Sequence, residues 1–344
     1  MKSRELVYRV FEHKETPRVP VHIESDDKDE EFRFGDIVGI GAKIMSWREF
    51  YVHGGPFRKS EDESLLKWIE RIDIDAYEWP EIDSVVDEAV NYYKEKAEKY
   101  KDLRFMMFKV LGPTETAESF FAPPARSKNQ IFHTFSFAVL IKFRPKIAYA
   151  LYDRISEYIL ELVKAGSEID FVDAIRIADD VADYRGSLYP RTFVKEKYLY
   201  WHKQFTLAIC KRGKIPILHS DGNLVKAGIF EDLITIYRGL HPLDFRPKST
   251  VHDALSWIDE IIKARKICRA NVVFFTGIPI DLVFSDNISK EDIGKIVTVL
   301  LRKHGKKNIV LATTHSPYPG RSYKEHLVRS KIDIIRTIVS TSGL

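Results

Sequence analysis

The chain has 344 residues, 44% of them hydrophobic and 30% charged, a balance that supports a large buried core and excludes disorder as the main state. Lys plus Arg number 54 against 50 for Asp plus Glu, a formal net charge of +4 spread along the chain. So slight a surplus excludes nucleic acid as the expected partner. In chain order, short β-rich runs alternate with longer helical patterns. The expected strands are 19–23 (VPVHI), 72–78 (IDIDAYE), 104–111 (RFMMFKVL), 171–178 (FVDAIRIA), 215–219 (IPILH), 234–238 (ITIYR), 272–276 (VVFFT) and 308–313 (NIVLAT). Several are nearly continuous apolar runs, as parallel strands covered on both faces require.

Helix ends are marked between them. Ser60 with Glu63 reads as a capping box before Leu65, Leu66, Trp68 and Ile69. Pro145 opens a helix to Lys164, with Gly166 just past its end. A further helix covers 192–212 and stops before Gly213. Ser289 and Asp292 open one that stops at Gly305, and a last helix covers 323–340. Residues 32–59 and 120–142 read as insertions or long loops over one face. The expected architecture is one (β/α)8 TIM barrel over 1–344, with an N-terminal insertion or lid at 24–59. A doubly wound sheet is disfavoured, because no Gly-x-Gly-x-x-Gly turn follows the first strand.

Cys210 and Cys268 are too few and too far apart for a disulfide framework, which points to a reducing, cytoplasmic setting. No run approaches the ~18 apolar residues of a membrane span, so no membrane partner is expected. The acidic run 24–31 (ESDDKDEE) is expected to repel phosphates and carboxylates locally.

In such a barrel the chemistry sits where strands end. Glu78 and Glu81 follow the second expected strand, and Asp179 and Asp180 the fourth. Either aspartate can act as a general acid or base tuned by burial, although Asp-Asp is also a common loop and cap choice. His219-x-Asp221 is the sharpest signal, because side chains two apart on a strand share a face. It reads as a metal or substrate contact, or as a hydrogen-bonded pair stiffening the turn before Asn223. His315 lies among Ser316, Pro317, Tyr318 and Pro319 over the barrel mouth. Glu78, Asp179, Tyr184, Arg185, Asn223 and Tyr318 are the expected substrate contacts. For Arg185 and Arg191 a surface salt bridge is the commoner fate. Tyr184, Tyr189, Tyr198, Tyr200 and Trp201 read as helix-to-barrel packing or a homodimer surface.

Read in order, PRVPV at 17–21, WPEI at 79–82, GPTETAESFF at 112–121, AGSEIDFVDAIRIADDVA at 165–182, YPRTFVKEKYLYWHKQF at 189–205, HSDGN at 219–223, TGIP at 276–279 and THSPYPGRSYKEH at 314–326 resemble the uroporphyrinogen decarboxylase family. That family also holds corrinoid- and coenzyme-M-linked methyltransferases. The resemblance covers about 16–340 and implies a TIM barrel. It implies that Glu81 stands for the pyrrole-binding aspartate and His315 for a histidine after the last strand.

The departures separate the activities. The decarboxylases follow the first strand with Arg-Gln-Ala-Gly-Arg-Tyr, whose arginines bind carboxylates. Here Glu24-Ser25-Asp26-Asp27-Lys28-Asp29 stands there. The methyltransferase branch holds zinc with His-x-Cys and a later Cys, where this chain has His219-x-Asp221 and His315. The implied ligand set is therefore His219, Asp221 and His315, suited to zinc or another divalent metal. The expected activity is methyl transfer to or from a corrinoid or thiol. Glu81, Asp180 and His315 would be catalytic, the substrate a small molecule, and the corrinoid supplied by a partner protein. A decarboxylase without the usual arginine grip and a silent ligand-binding barrel are the alternatives.

Overall fold

A computed structural model describes residues 1–123, 136–268 and 271–341. The strands are β1 (Val21–His22), β2 (Ile37–Gly41), β3 (Phe105–Leu111), β4 (Ala174–Ala178), β5 (Ala182–Asp183), β6 (Gly186–Ser187), β7 (Ile215–His219), β8 (Gly239–His241), β9 (Val273–Ile278) and β10 (Ile309–Thr313). β5 and β6 form a small antiparallel hairpin. The other eight are parallel, in the order β1-β10-β9-β8-β7-β4-β3-β2. The Asp36 amide donates to the Val21 carbonyl at 2.7 Å, drawing β1 and β2 together and nearly closing the circle. This is the expected (β/α)8 architecture.

The first half carries α1 (Ser3–Phe11), α2 (Lys28–Phe34), α3 (Met45–His53), α4 (Leu65–Arg71), α5 (Ile82–Ala97), α6 (Pro113–Ser119), α7 (Ser136–Phe143) and α8 (Pro145–Glu168). The second half carries α9 (Arg191–Phe193), which runs through a π-helical turn at Val194–Tyr198 into α10 (Leu199–Lys211). Then follow α11 (Phe230–Ile236), α12 (Val251–Ile267), α13 (Ile280–Val283), α14 (Lys290–His304) and α15 (His326–Thr341).

Strand alternation divides the core into two parts. Outward residues such as Phe108, Val110, Ile175, Ile177 and Leu218 pack under the helices. Inward residues at the N-terminal end are apolar: Ile37, Phe105, Met107, Ala174, Ile215, Ile217, Val273, Phe275, Val310 and Ala312. α1 closes that end, placing Phe11 against Phe105 and Phe275 at ring separations of 6.2 and 5.9 Å. One step further along the same strands the inward positions turn polar, and the chemistry begins there.

Several boundaries differ from expectation. Residues 72–78 are not a strand: the Asp73 carboxylate accepts from the Asp75 amide at 3.0 Å, an Asx turn that ends any extension. The second barrel strand is β2, so part of the segment 24–59, namely α2 and β2, belongs to the barrel itself. Residues 234–236 finish α11, whose first turn carries Glu231 and Asp232, and the strand is Gly239–His241. Ser60 and Glu63 form a turn, and α4 starts later, with the Ser64 hydroxyl accepting from the Lys67 amide. α8 passes through Gly166, whose place is set by Phe108: a Cβ there would lie 2.7 Å from its ring. Within 120–142, Ser136–Phe143 is helical, and 124–135 lies outside the described residues. The Ser289–Asp292 capping box is present as expected.

The acidic run is also spent differently. Asp27 caps α2 and pairs with Lys324, and Asp29 pairs with Lys99. Glu24, Glu30 and Glu31 are buried, with His22 and Lys28 on Glu31. They turn inward instead of forming a repelling surface.

Glu118, on α6, accepts from the Tyr189 hydroxyl at 3.0 Å and the Phe137 amide at 3.1 Å. Burial outweighs these bonds and pushes its carboxyl up to about 7 from the usual 4.5. The folded form therefore holds a proton that the unfolded form releases above pH ~4.5. Stability from this group is full below that pH and lost as pH rises through about 7. Glu118→Gln is expected to raise the melting temperature at pH 8 by roughly 3 °C, from about 2 kcal/mol, and to change nothing at pH 4, as calorimetry at the two pH values would show.

Candidate active site

The polar layer begins with Glu24, just past β1. The Arg176 guanidinium on β4 donates to both its oxygens at 2.8 and 2.6 Å, and the Lys109 ammonium on β3 donates at 2.8 Å. Gly39 on β2 gives Lys109 its path, since a Cβ there would stand 2.9 Å from Lys109 Cδ. Burial pushes the Glu24 carboxyl up, but Arg176 and Lys109 together hold it well below the usual carboxylate range. The trio forms a rigid, charged floor to the site.

Two histidines stand on this floor. His241 Nε2 lies 2.8 Å from the Thr313 carbonyl, which can only accept, so this nitrogen carries the proton. Burial keeps the ring neutral, lowering its pKa to about 3. His241 Nδ1 is then an acceptor and takes the Nδ1 proton of His219 at 2.6 Å. That fixes the His219 tautomer and leaves a lone pair on Nε2. Burial pushes the His219 pKa down as well, which keeps the lone pair unprotonated.

The lone pair faces carboxylates. His219 Nε2 lies 3.9 Å from Asp221 Oδ1. Asp180 joins them, its Oδ1 accepting from the Asp221 amide at 2.7 Å. One ligand atom from each of Asp180, His219 and Asp221 falls within 4.8 Å of the others. Burial, reinforced by Asp180, pushes the Asp221 carboxyl up to about 7, and burial pushes Asp180 up to about 6. Glu115, at the start of α6, is raised by burial and by Asp180, Asp179 and Asp221. Two carboxyl groups, those of Asp180 and Asp221, thus stand at one imidazole nitrogen, with Glu115 in electrostatic range of both and Lys248 and Arg176 partly offsetting their charge. Glu24, His219 and His241 also bring ligand atoms within 4.8 Å of one another, but the ion pairs and the histidine contact already occupy them.

Beyond this set opens a cleft of about 270 Å³, lined by Tyr184, Asp221, Asp244, Lys248, Asp281, His315 and Tyr318 among others. Tyr184 donates to Asp244 at 2.9 Å, Lys248 donates to Asp244, and Tyr318 donates to Asp281. Burial lowers the Lys248 pKa to about 8.

Of the expected residues, the fold brings His219, Asp221 and Asp180 together at the mouth. His315 sits exposed at the lip, its ring 6.3 Å from that of His219, and Asp180 takes its place in the group that could hold a metal. Tyr184 and Tyr318 line the cleft. Asp179 is fully buried and committed to structure: it accepts from the Thr114 and Glu115 amides, the Thr114 hydroxyl and His202 Nε2. Gly112 is required beside it, as a Cβ would come within 2.2 Å of Asp179 Cβ. Asn223 holds its own loop through the Phe245 carbonyl and the Lys226 amide. Arg185 is 88% exposed and pairs with Asp183. Glu78 and Glu81 lie exposed on the α4–α5 connection. Glu24, Lys109, Glu115, Arg176 and His241 were not singled out beforehand. The available signal was a lone cation at an inward position of an apolar strand, Lys109 in FMMFKVL and Arg176 in AIRIA.

Fold and site together define a barrel with an acidic, histidine-bearing mouth. No family model matches the chain, and no curated protein matches it in sequence. Among solved structures it is similar to a methyltransferase from Methanosarcina mazei, at 14% identity and a TM-score of 0.63, over 98% of this chain and 99% of that one. It is less similar to an endo-1,4-beta-D-mannanase from Thermotoga petrophila RKU-1, at 14% identity and a TM-score of 0.49, over 94% and 99% of the two chains. At such identity the first likeness establishes a shared barrel fold. No helix among the described residues is long and apolar enough to cross a membrane.

Proposed function

We propose that the protein is a metal-assisted methyltransferase that moves a methyl group to or from a thiol or a corrinoid. The observation that carries this reading is the His219 Nε2 lone pair, fixed by His241 and facing the Asp180 and Asp221 carboxylates. One nitrogen and two oxygens suit zinc or another divalent ion with coordination positions to spare. When bound, such an ion supplies a lowered pKa for a thiol or hydroxyl acceptor. The chain supplies the rest. His241 holds the ligand nitrogen in one tautomer, and the Glu24–Arg176–Lys109 floor keeps both rings in place. Glu115, pushed upward by burial and by Asp180, Asp179 and Asp221, would be the group to hold or release a proton near the two aspartates. Tyr184, Asp244 and Lys248 orient a small substrate in the cleft, and exposed His315 and Tyr318 form its lip.

The resemblance to the uroporphyrinogen decarboxylase family supports the reading, as does the full-length likeness in fold to the Methanosarcina enzyme. A corrinoid would come from a partner protein docked at the mouth, in a cytoplasmic setting that two free cysteines suit. A homodimer stays part of the same reading, with the exposed Tyr200 one candidate contact. The raised carboxyls favour one second reading, a decarboxylase that protonates a carbanion from Glu115 or Asp180. Arg176 is tied to Glu24 in either case and offers no free anion grip.

Elemental analysis of protein purified without chelators or a histidine tag tests the site. About one divalent ion per chain is expected, lost in His219→Ala and Asp221→Asn and retained in His315→Ala. No metal after reconstitution would overturn the metal centre. A metal-loaded protein that transfers no methyl group from a methylcorrinoid to thiols would shift the case to the decarboxylase. Unchanged metal in both ligand variants would leave a silent barrel.

A further inference from the structure

At the opposite end of the barrel a second cleft of about 150 Å³ opens between α1, α15 and the segments entering β1, β2 and β3. Arg18, Arg33, Arg104 and Arg336 line it, and Asp36 is the carboxylate among its lining residues. Asp36 is already saturated. It accepts from Arg18 at 2.7 and 2.6 Å, from the Ser3 hydroxyl at 2.7 Å and from the Val21 amide at 2.9 Å.

Among the described residues the other three guanidiniums make no ion pair. Arg104 donates to the carbonyls of Phe32, Gly35 and Leu103. Burial lowers its pKa, the Asp36 carboxylate partly offsets that, and the nearby charges of Arg336 and Arg18 lower it further. Arg33 rests over the Phe34 ring at 5.4 Å. Neither the Arg33 nor the Arg336 side chain, both exposed, has a hydrogen bond or ion pair among the described residues. Ser3, the first residue of α1, forms part of the wall, and the cap residue Lys2 offers no side-chain acceptor to the first-turn amides. Capping of α2 by Arg104 explains that one arginine. It does not explain why Arg33 and Arg336 line the same cleft, Arg336 within repelling range of Arg104.

We propose that this cleft binds a tetrahedral oxyanion, inorganic phosphate or the terminal phosphate of a monoester. Guanidiniums bind such groups in bidentate fashion, and the anion relieves repulsion that the single carboxylate of Asp36 offsets only in part. The volume admits one phosphate head, so any ester group projects into solvent. The apolar layer of the barrel separates this cleft from the mouth, and the two sites do not compete.

Calorimetric titration of the whole chain with inorganic phosphate, against acetate at matched ionic strength, tests the proposal. Saturable phosphate binding is expected, with acetate at least tenfold weaker. Arg33→Gln combined with Arg336→Gln should weaken phosphate binding at least tenfold. Without phosphate the same variant should melt at or above the wild-type temperature. Arg154→Gln, a surface control on α8, should bind as wild type. Methyl phosphate separates the sources: equal binding assigns an esterified phosphate, and weaker binding assigns the free ion. No saturable binding, or wild-type affinity in the double variant, would overturn the site. Metal content plays no part in these readouts.

Discussion

Arg176→Met is expected to lower the unfolding free energy by about 3–5 kcal/mol, because it leaves the buried Glu24 carboxylate without its main partner. Both side chains are 6% exposed, so water cannot replace the lost bonds. Lys109 retains one contact with Glu24, which places the loss toward the lower end of that range. The contrast is with surface pairs such as Arg154–Glu157, at 3.4 Å and half exposed, for which less than about 0.5 kcal/mol is expected. Denaturant titration of Arg176→Met, Glu24→Gln and the double variant measures the coupling. If Arg176→Met costs no more than Arg154→Gln, the floor does not hold the site together.

His241→Phe is expected to weaken divalent metal binding by about 10–100-fold without removing any ligand. The phenyl ring fills the same space between His219 and Thr313. It gives His219 no acceptor, so the imidazole is no longer held with its lone pair at Nε2. His241→Gln, which carries both an acceptor and a donor, should recover part of the affinity. Titration of the metal-free protein with zinc distinguishes the cases. A purely structural role would lower stability in both variants and leave metal affinity unchanged. Equal affinity in His241→Phe and wild type would remove His241 from the site.

The barrel was legible because its parallel strands are buried on both faces and read as apolar runs. The exceptions have physical causes. Ile37–Gly41 is five residues with two glycines, one of which makes way for Lys109, so it carries little strand signal. Residues 72–78 alternate convincingly, but the alternating residues are aspartates that fold the backbone on itself. His219 and Asp221 stood out because both lie at one strand end and differ by two positions. Asp180 was visible for the same reason. Glu24, Arg176 and Lys109 come from three strands, and only closure of the barrel brings them together. His241 gains its meaning from a carbonyl 72 residues away. Glu81 and His315 entered through the family resemblance, and the fold sets them on an exposed connection and at the lip. Alignment conveys which residues recur, whereas burial decides which can hold a proton or an ion.

Among the described residues, the plug formed by α1 closes one end of the barrel and leaves the polar layer facing the mouth. Phe11, Phe105 and Phe275 pack across the N-terminal end, so the described residues offer no passage there. Whatever enters past Tyr184 and Tyr318 must leave the same way. A large methyl carrier seated on that mouth would trap the small substrate beneath it and block release of the product. Turnover would then be gated by traffic: the carrier must undock before the product leaves and a new substrate enters. The order of arrival and departure would follow from the architecture of the entrance, whatever the speed of the chemical step.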